Sequence, residues 1–314
     1  MSKRKQTPRV SIGLPVFNGE EYLEETLNSI ISQKFTDFEL IISDNGSTDN
    51  TSKICQEYAQ IDNRIIYYKT NKNRGAAWNF NQVFKMSSGY YFKWSAHDDL
   101  HHPEHLLKCV RVLDEDPSII MCYSKIGVIN EYGEKKGHYD YCAKLDSYKP
   151  EHRFSEILQK RPFFALFGVI KRSVLEQTPL FAGYIGSDWN LLGEISLTGR
   201  IFEIPEYLFF RREHAKAYTN IYYSKNINIH DHGKESLWWT GATKKPLITL
   251  PCWKNCFEFF KSVNRSSLNF SKKLLCYNEL GKWLTKGSGG KMLYLDLKNE
   301  YNLFRLKLNY NSSK

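Results

Sequence analysis

The sequence lacks any long apolar run without charges. Nowhere do roughly 18 or more uncharged apolar residues stand together, which predicts that no helix spans a membrane. The start of the chain, residues 1–9, is basic and polar, and no segment of the kind that forms a signal-peptide core follows it. We therefore expect a cytoplasmic protein.

Cysteine is scarce and shows no pattern. The seven cysteines are odd in number and scattered, and the closest pair, Cys252 and Cys256, has no second Cys or His pair at zinc-site spacing. These features argue against a disulfide framework and predict reduced thiols, as in cytosolic proteins.

Glycine-rich phosphate loops are missing as well. The loop after the first predicted strand, residues 14–20, has neither the Gly-x-Gly-x-x-Gly pattern of dinucleotide enzymes nor the Gly-rich, basic loop of sugar-phosphate nucleotidyltransferases. Residues 287–291 lack the spacing of a P-loop. These three nucleotide-binding classes are therefore excluded.

Acidic residues are few in the last quarter of the chain. The net charge is +10, and residues 241–314 hold 14 basic and 4 acidic side chains, whereas residues 1–240 hold 30 of each. Aromatic residues make up 15% of the whole chain, and many of them lie in this basic tail. The shift in composition predicts two units: a catalytic domain over residues 1–220 and a basic, mostly helical extension over residues 221–314.

The first third of the chain alternates between strand and helix patterns. Apolar, β-rich runs predict strands at residues 10–17, 38–43, 64–68, 90–95 and 118–125. Helical spacing lies between them, which predicts an α/β fold with a mostly parallel sheet flanked by helices. Later, residues 200–204 and 207–211 are predicted as two strands around Pro205. Ligands of such sheets bind beyond the carboxyl ends of the strands.

Four segments, in order, resemble the family 2 glycosyltransferases of the GT-A fold. They are Val10 to Asn18 followed by Glu20, Ile42 to Asp49, Asn73-Arg74-Gly75, and Asp98-Asp99. The resemblance covers about residues 8–215 and implies transfer of a sugar from a nucleotide-diphosphate sugar to an acceptor hydroxyl. It implies nucleotide contacts from Pro15, Phe17, Asn18, Glu20, Asp44, Arg74 and Asp98.

The same resemblance bears on substrates. A UDP-sugar is the favoured donor, with GDP- and dTDP-sugars open, and the acceptor is expected to be a saccharide or lipid-linked saccharide. The setting implied by analogy is bacterial-type surface polysaccharide or glycolipid synthesis. Asp44 has an alternative role, because an Asp at this place also caps the turn through Asn45 and Gly46.

The acids after the fourth strand predict a divalent metal, Mn²⁺ or Mg²⁺. Such an ion, held by one or two carboxylates, neutralises a nucleotide diphosphate. By resemblance, Asp98 contacts the ribose, while Asp99 and His214 hold the metal. Ala96 departs from the family, since many relatives carry another Asp there. We expect surface histidines rather than a zinc site at His97, His101, His102 and His105.

Asp188 is the expected catalytic base. Inverting members of the family carry a carboxylate here, which takes the proton of the acceptor hydroxyl, although Ser187 replaces the usual second acid. The alternative is that Asp188 only caps the helix that it opens. Arg211 is expected to stabilise the leaving diphosphate, or else to be a solvated residue at a strand end.

The basic tail leaves two interpretations open. Residues 271–285 predict an amphipathic helix, which either lies on an anionic membrane as a peripheral contact at its inner face or packs on the catalytic domain. No nucleic-acid motif accompanies the tail, so we expect no nucleic-acid partner. The alternative function is a degenerate relative that binds a nucleotide sugar without turnover, which Ala96 and the single acid Asp188 keep open.

Overall fold

The computed structural model of the chain describes residues 7–218, 221 and 232–312. The predicted domain boundary lies between residues 220 and 221. Residues 219–220 and 222–231, around this boundary, lie outside the described part of the chain. Within the described ranges, no helix combines the length and the apolar character needed to cross a membrane.

The strands of the described chain form one sheet. They are β1 (Val10–Val16), β2 (Phe38–Asp44), β3 (Ile65–Lys69), β4 (Tyr91–Trp94), β5 (Leu100–His101), β6 (Ile119–Ile129), β7 (Lys135–Tyr139), β8 (Val169–Lys171) and β9 (Arg200–Arg212). Their order is β3-β2-β1-β4-β8-β6-β9-β5, and β7 pairs with β6. The long pairings, β1 with β2, β2 with β3 and β6 with β9, are parallel. The prediction of a mostly parallel sheet is therefore confirmed.

The two strands predicted around Pro205 are one strand, so that prediction was wrong. β9 runs through Pro205, and its register against β6 shifts so that Ser124 faces Ile204 while Lys125 faces Tyr207. A proline has no N–H to donate to a neighbouring strand. The irregularity takes Pro205 out of the ladder and lets the strand continue to the site.

Helices cover the sheet in the expected alternation. They are α1 (Leu23–Ile31), α2 (Thr51–Ile61), α3 (Ala76–Met86), α4 (His105–Glu115), α5 (Pro150–Lys160), α6 (Arg172–Leu175), α7 (Ser187–Thr198), α8 (His232–Thr240), α9 (Pro251–Arg265), α10 (Phe270–Thr285) and α11 (Gly289–Ser312). The buried residues of α1 are typical: Leu23, Leu27 and Ile30 recur at helical spacing on one side.

Side chains of the sheet alternate between two hydrophobic clusters. Val10, Ile12 and Leu14 of β1 belong to the cluster under α1, α2 and α4. The other cluster contains α3, α5, α7 and the C-terminal helices, with Trp283 of α10 lying 5.6 Å from Trp189 of α7 between ring centroids. One side of the basic tail therefore packs on the catalytic part of the chain.

Candidate active site

The loops after β1 and β2 are bound to each other at the carboxyl edge of the sheet. Asn18 adopts a left-handed conformation, with a φ of 49°. Its Oδ1 accepts the N–H of Thr48 at 2.9 Å, and its own N–H donates to Ser47 Oγ at 2.9 Å. Glu20 Oε2 accepts the N–H of Asn50 at 2.8 Å. Among the predicted nucleotide contacts, Phe17, Asn18 and Glu20 are exposed here, and Pro15 is buried in β1.

Asp44 is wholly buried at the end of β2. Its Oδ1 accepts the N–H of Ser47 at 2.8 Å, and its Oδ2 accepts the hydroxyls of Ser52 at 2.7 Å and Tyr67 at 3.0 Å. These contacts fix the turn through Gly46, whose φ is 81°. The arrangement matches the turn-capping alternative, and contact between Asp44 and a nucleotide base stays a prediction.

Arg74 is exposed beside a basic cavity. Asn45 Oδ1 accepts the N–H of Arg74 at 3.0 Å, which ties the loop after β3 to the loop after β2. The Arg74 guanidinium lies 4.2 Å from the centroid of the Trp78 ring. A cavity of about 380 Å³ adjoins it, lined by Tyr68, Lys69, Thr70, Asn71, Lys72 and Arg74. Lys69, the last residue of β3, and Lys72 were not predicted from the sequence, although basic residues at the carboxyl end of a parallel strand are a usable signal.

Asp98 and His214 meet across a long sequence separation. β5 runs antiparallel to β9, with Leu100 opposite Phe210, and this pairing brings the loop after β4 to the end of β9. Asp98 Oδ2 lies 2.9 Å from His214 Nε2. Burial opposes ionisation of Asp98, but His97 and His214 outweigh it, and the pKa of Asp98 is lowered. The two side chains form a polar pair with metal-ligand chemistry.

Asp99 makes a different contact from that of Asp98. It is 4% exposed, and its Oδ1 accepts the backbone N–H of Arg212 at 2.9 Å. Burial, and next the charge of Asp98, raises the pKa of Asp99 well above its usual value. The expected division put Asp98 on the ribose and Asp99 on the metal. In the structure it is Asp98 that touches the histidine expected to bind the metal.

The two arginines of β9 have different surroundings. Arg212 has a fully buried side chain that donates to the Asp98 carbonyl at 2.9 Å and to Glu25 Oε2 at 2.7 Å. Arg211 donates to the Tyr139 hydroxyl and to Glu213 Oε1, and its guanidinium lies 5.0 Å from the Phe164 ring centroid. Arg211 is buried, so the description of it as a solvated strand end was wrong.

Asp188 is half-buried in the first turn of α7. Gly186 holds the cap position, so Asp188 is not the cap. Its Oδ1 accepts the N–H of Trp189 at 2.9 Å. Burial raises the pKa of Asp188 to about 6, with a smaller contribution from the charge of Glu235 in α8. A carboxyl with this pKa is suited to proton transfer near neutral pH. An influence of Glu235 on Asp188 was not predicted from the sequence. No pattern in residues 221–314 indicates that α8 lies near Asp188.

The charges of Asp188 and Arg211 both influence the pKa of Tyr141. Burial is the main reason that the pKa of Tyr141 is raised; Arg211 opposes that shift and Asp188 adds to it. Tyr141 stacks on Tyr139, the hydroxyl partner of Arg211, with 6.1 Å between ring centroids.

The expectation of surface histidines was wrong for two of the four. His101 and His105 are 5% and 1% exposed, and their rings stack at 5.6 Å. His101 Nε2 lies 2.8 Å from Ser95 Oγ in the interior. His101 lies in β5 and His105 begins α4, and the ring of His101 also stacks on Phe209 with 5.4 Å between centroids. In the part of the chain that the structure describes, no three His, Cys, Asp or Glu side chains group closely enough to hold a metal ion.

The chain is similar to proteins of one enzyme family. A family model described as Glycosyl transferase family 2 matches residues 11–184. An uncharacterized glycosyltransferase from Rickettsia prowazekii (strain Madrid E) is 30% identical over 260 residues, covering 78% of this chain and 74% of the relative. An uncharacterized glycosyltransferase from Haemophilus influenzae is 26% identical over 230 residues, covering 68% of each.

Two solved structures share the fold. TarS of S. aureus, residues 1–349 in complex with UDP, has a TM-score of 0.61 at 16% identity and covers 88% of this chain and 72% of that chain. The mannosyltransferase PcManGT from Pyrobaculum calidifontis, in complex with GDP-Man and Mn²⁺, has a TM-score of 0.55 at 16% identity. The match covers 95% of this chain and 88% of that chain. The expected GT-A-like architecture is confirmed.

Proposed function

This chain belongs to glycosyl transferase family 2, and we propose that it transfers a sugar from a nucleotide-diphosphate sugar to an acceptor hydroxyl with inversion at the anomeric carbon. The observation that carries the proposal is the meeting of Asp98 and His214 at 2.9 Å, beside Asp99, at the carboxyl edge of the sheet. Ligands of open α/β sheets bind at this edge.

The donor's nucleotide is proposed to lie over the loops after β1, β2 and β3. The exposed Phe17, Asn18 and Glu20 offer stacking and hydrogen-bonding groups, and Arg74 with Lys69 and Lys72 offers positive charge to phosphate oxygens. Relatives of this fold are known with UDP, UDP-GlcNAc and GDP-Man. We favour a UDP-sugar, with GDP- and dTDP-sugars as the other candidates.

The residues at the end of β4 suit a divalent cation. Asp98 and His214 supply one carboxylate and one imidazole, and Asp99 is a second carboxylate whose ionised form is costly in its buried place. A site with so few protein ligands is typical of Mg²⁺ or Mn²⁺, which take their remaining ligands from phosphates and water. When bound, such an ion would neutralise charge on the diphosphate. PcManGT is described with Mn²⁺.

Transfer is proposed to be a single in-line displacement. The acceptor oxygen attacks the anomeric carbon as Asp188 takes its proton, and the bond to the nucleotide diphosphate breaks with its electron pair going to the leaving phosphate oxygen. A pKa of about 6 keeps Asp188 ionised at neutral pH yet basic enough to accept the proton. Arg211 is proposed to stabilise the leaving group, for which its contacts with Tyr139 and Glu213 provide orientation.

The acceptor is proposed to be a saccharide or lipid-linked saccharide, and the reaction to take place in the cytoplasm, during surface polysaccharide or glycolipid synthesis. A thermal-shift panel of UDP-, GDP- and dTDP-sugars, with and without Mn²⁺, tests the donor. A ligand stabilises the protein with the logarithm of its concentration over its dissociation constant. We expect a shift with one nucleotide class that increases with Mn²⁺; no shift with any donor contradicts the proposal.

A binding protein without turnover is the second candidate. Ala96 and Ser187 stand where many relatives have acids, and their lack of a carboxylate favours a binding protein. Hydrolysis of the donor separates the two, because an active transferase slowly passes the sugar to water. A donor that shifts the melting temperature and stays intact after long incubation would favour the binding protein.

A further inference from the structure

The C-terminal helices carry apolar stripes that face away from the core. In α9, Phe259 and Val263 are buried, whereas Trp253, Phe257 and Phe260 are 45%, 56% and 47% exposed. Steps of four and three residues place these three aromatic side chains on one side of the helix. α9 is therefore apolar on two sides, one buried in the core and the other about half exposed.

The next two helices repeat this feature. In α10, Phe270 and Leu274 are exposed and Tyr277 is half-buried, again at helical spacing. In α11, the exposed stripe is Tyr294, Leu297, Tyr301 and Phe304. Exposed apolar residues scattered singly are ordinary, but stripes on neighbouring helices mark an interaction site.

The stripes adjoin one another. The rings of Phe260 in α9 and Tyr277 in α10 have centroids 5.0 Å apart. Trp253 Nε1 in α9 donates to the carbonyl of Leu293, directly before Tyr294 in α11, at 3.1 Å. We call the exposed stripes of α9, α10 and α11 together the outer aromatic face.

The charge around the outer aromatic face is positive. The acids of residues 241–314 are turned inward or half-buried: Glu258, Glu279, Asp296 and Glu300. Glu258 is also paired with Lys254 and Lys261, each at 3.0 Å. Basic side chains such as Lys272, Lys298 and Arg305 are exposed on the same helices. An approaching partner therefore meets apolar rings and cations.

We propose that the outer aromatic face docks the protein on the surface of an anionic lipid bilayer. Aromatic rings lie well at headgroup depth, and lysines beside them attract anionic headgroups. The packing alternative for α10 does not compete with this proposal, because Cys276, Leu280 and Trp283 pack inward while the exposed stripe faces outward. A second copy of the chain would bring two cationic faces together, which like charges oppose.

The proposal does not depend on glycosyl transfer, and its test uses no donor. The full chain is sedimented with vesicles of phosphatidylcholine alone and of phosphatidylcholine with phosphatidylglycerol. We expect binding only to the anionic vesicles, and weaker binding as salt rises from about 0.1 M to about 0.5 M, because salt screens the lysines.

A double variant tests the face itself. Phe257→Ser with Phe260→Ser is expected to weaken anionic-vesicle binding by about tenfold or more, because both rings lose their lipid contact. The matched control is Ile61→Ser with Tyr132→Ser, two apolar residues that are 77% and 78% exposed and that lie outside the C-terminal helices, in α2 and between β6 and β7. This control is expected to bind like the parent.

Folding is checked by thermal melting, and Tyr301→Ser with Phe304→Ser is a second pair on another helix that should show the same loss. Equal binding to neutral vesicles, no binding to either vesicle, or unchanged binding by both double variants would overturn the proposal. So would a dimer that only the aromatic variants disrupt, or a single-stranded oligonucleotide that binds in place of the vesicles.

Discussion

The two ends of the sheet's carboxyl edge hold their polar side chains in different ways. At the donor end, the loops after β1, β2 and β3, exposed residues such as Asn18 and Glu20 bond to backbone groups of the next loop. At the transfer end, which comprises the loop after β4, the end of β9 and the start of α7, the charged groups are buried or half-buried. Asp99 and Asp188 have raised pKa values there.

This difference separates binding from chemistry. Exposed groups on preformed loops contact a ligand while water still solvates them. Groups held away from water have altered pKa values and strong electrostatic interactions, which suit proton transfer and charge stabilisation. Changes at the transfer end should therefore affect turnover, and changes at the donor end should affect affinity.

Metal removal is expected to have the largest effect. Excess EDTA should abolish transfer, and added Mn²⁺ or Mg²⁺ should restore it, because the ion is proposed to supply the positive charge that offsets the diphosphate. Asp98→Ala should abolish metal-dependent transfer, because Asp98 meets His214 at the proposed metal site, and Asp99→Ala should lower turnover as well. Initial rates across a metal titration measure both.

Full activity in EDTA would contradict the metal prediction and assign charge neutralisation to basic residues such as Arg211. The useful control is Asp114→Ala, an exposed acid at the far end of α4. That variant should keep the metal dependence of the parent.

Replacement of the base should come next in size. Asp188→Asn keeps the shape of the side chain but cannot accept the acceptor's proton, so kcat should fall at least about a hundredfold. Donor affinity should stay near the parent value, because Asp188 belongs to the transfer end. Steady-state kinetics and donor titration on one preparation give both numbers. An unchanged kcat would mean that Asp188 has only a structural role in the first turn of α7.

The pH profile should show a smaller effect. A base acts only when ionised, and the pKa of Asp188 is raised to about 6. The rate should therefore rise with pH through about 6, and at pH 5 it should be about tenfold below its plateau. Rates at saturating donor between pH 5 and 8 measure it. In Asp188→Asn the residual rate should lose this acidic limb, and a limb that persists there would belong to another group.

The sequence predicted the fold better than the transfer end, for a physical reason. The alternation of strand and helix is local, so β1 to β4 and the motifs after them can be seen in the order of residues. Buried pairing is not local: Arg212 and Asp99 lie 113 residues apart and meet only because β5 pairs with β9. Resemblance to the family named Asp98 and His214 but could not predict that they contact each other.

Other errors have the same origin. Pro205 was expected to separate two strands, but the irregular pairing of β6 with β9 accommodates it, which no local pattern shows. His101 and His105 are polar in type and were placed on the surface, yet their positions turn them into the interior. The cavity beside Arg74 was missed because the order of residues does not show that Lys69, Lys72 and Arg74 line one space.

The smallest effect is expected at the donor end. Arg74 is exposed, so its interaction with a phosphate is partly screened by water, and Arg74→Ala should weaken donor affinity by only about fivefold. Its kcat should stay unchanged, because Arg74 is proposed to contact the donor equally before and during transfer. Arg111→Ala is the matched control, since Arg111 is an exposed arginine on α4 that pairs with Glu115. Donor titration and kcat are measured on both variants at the same salt concentration. A loss of kcat in Arg74→Ala without loss of affinity would mean that Arg74 acts on the leaving group, and the division between the two ends would then be wrong.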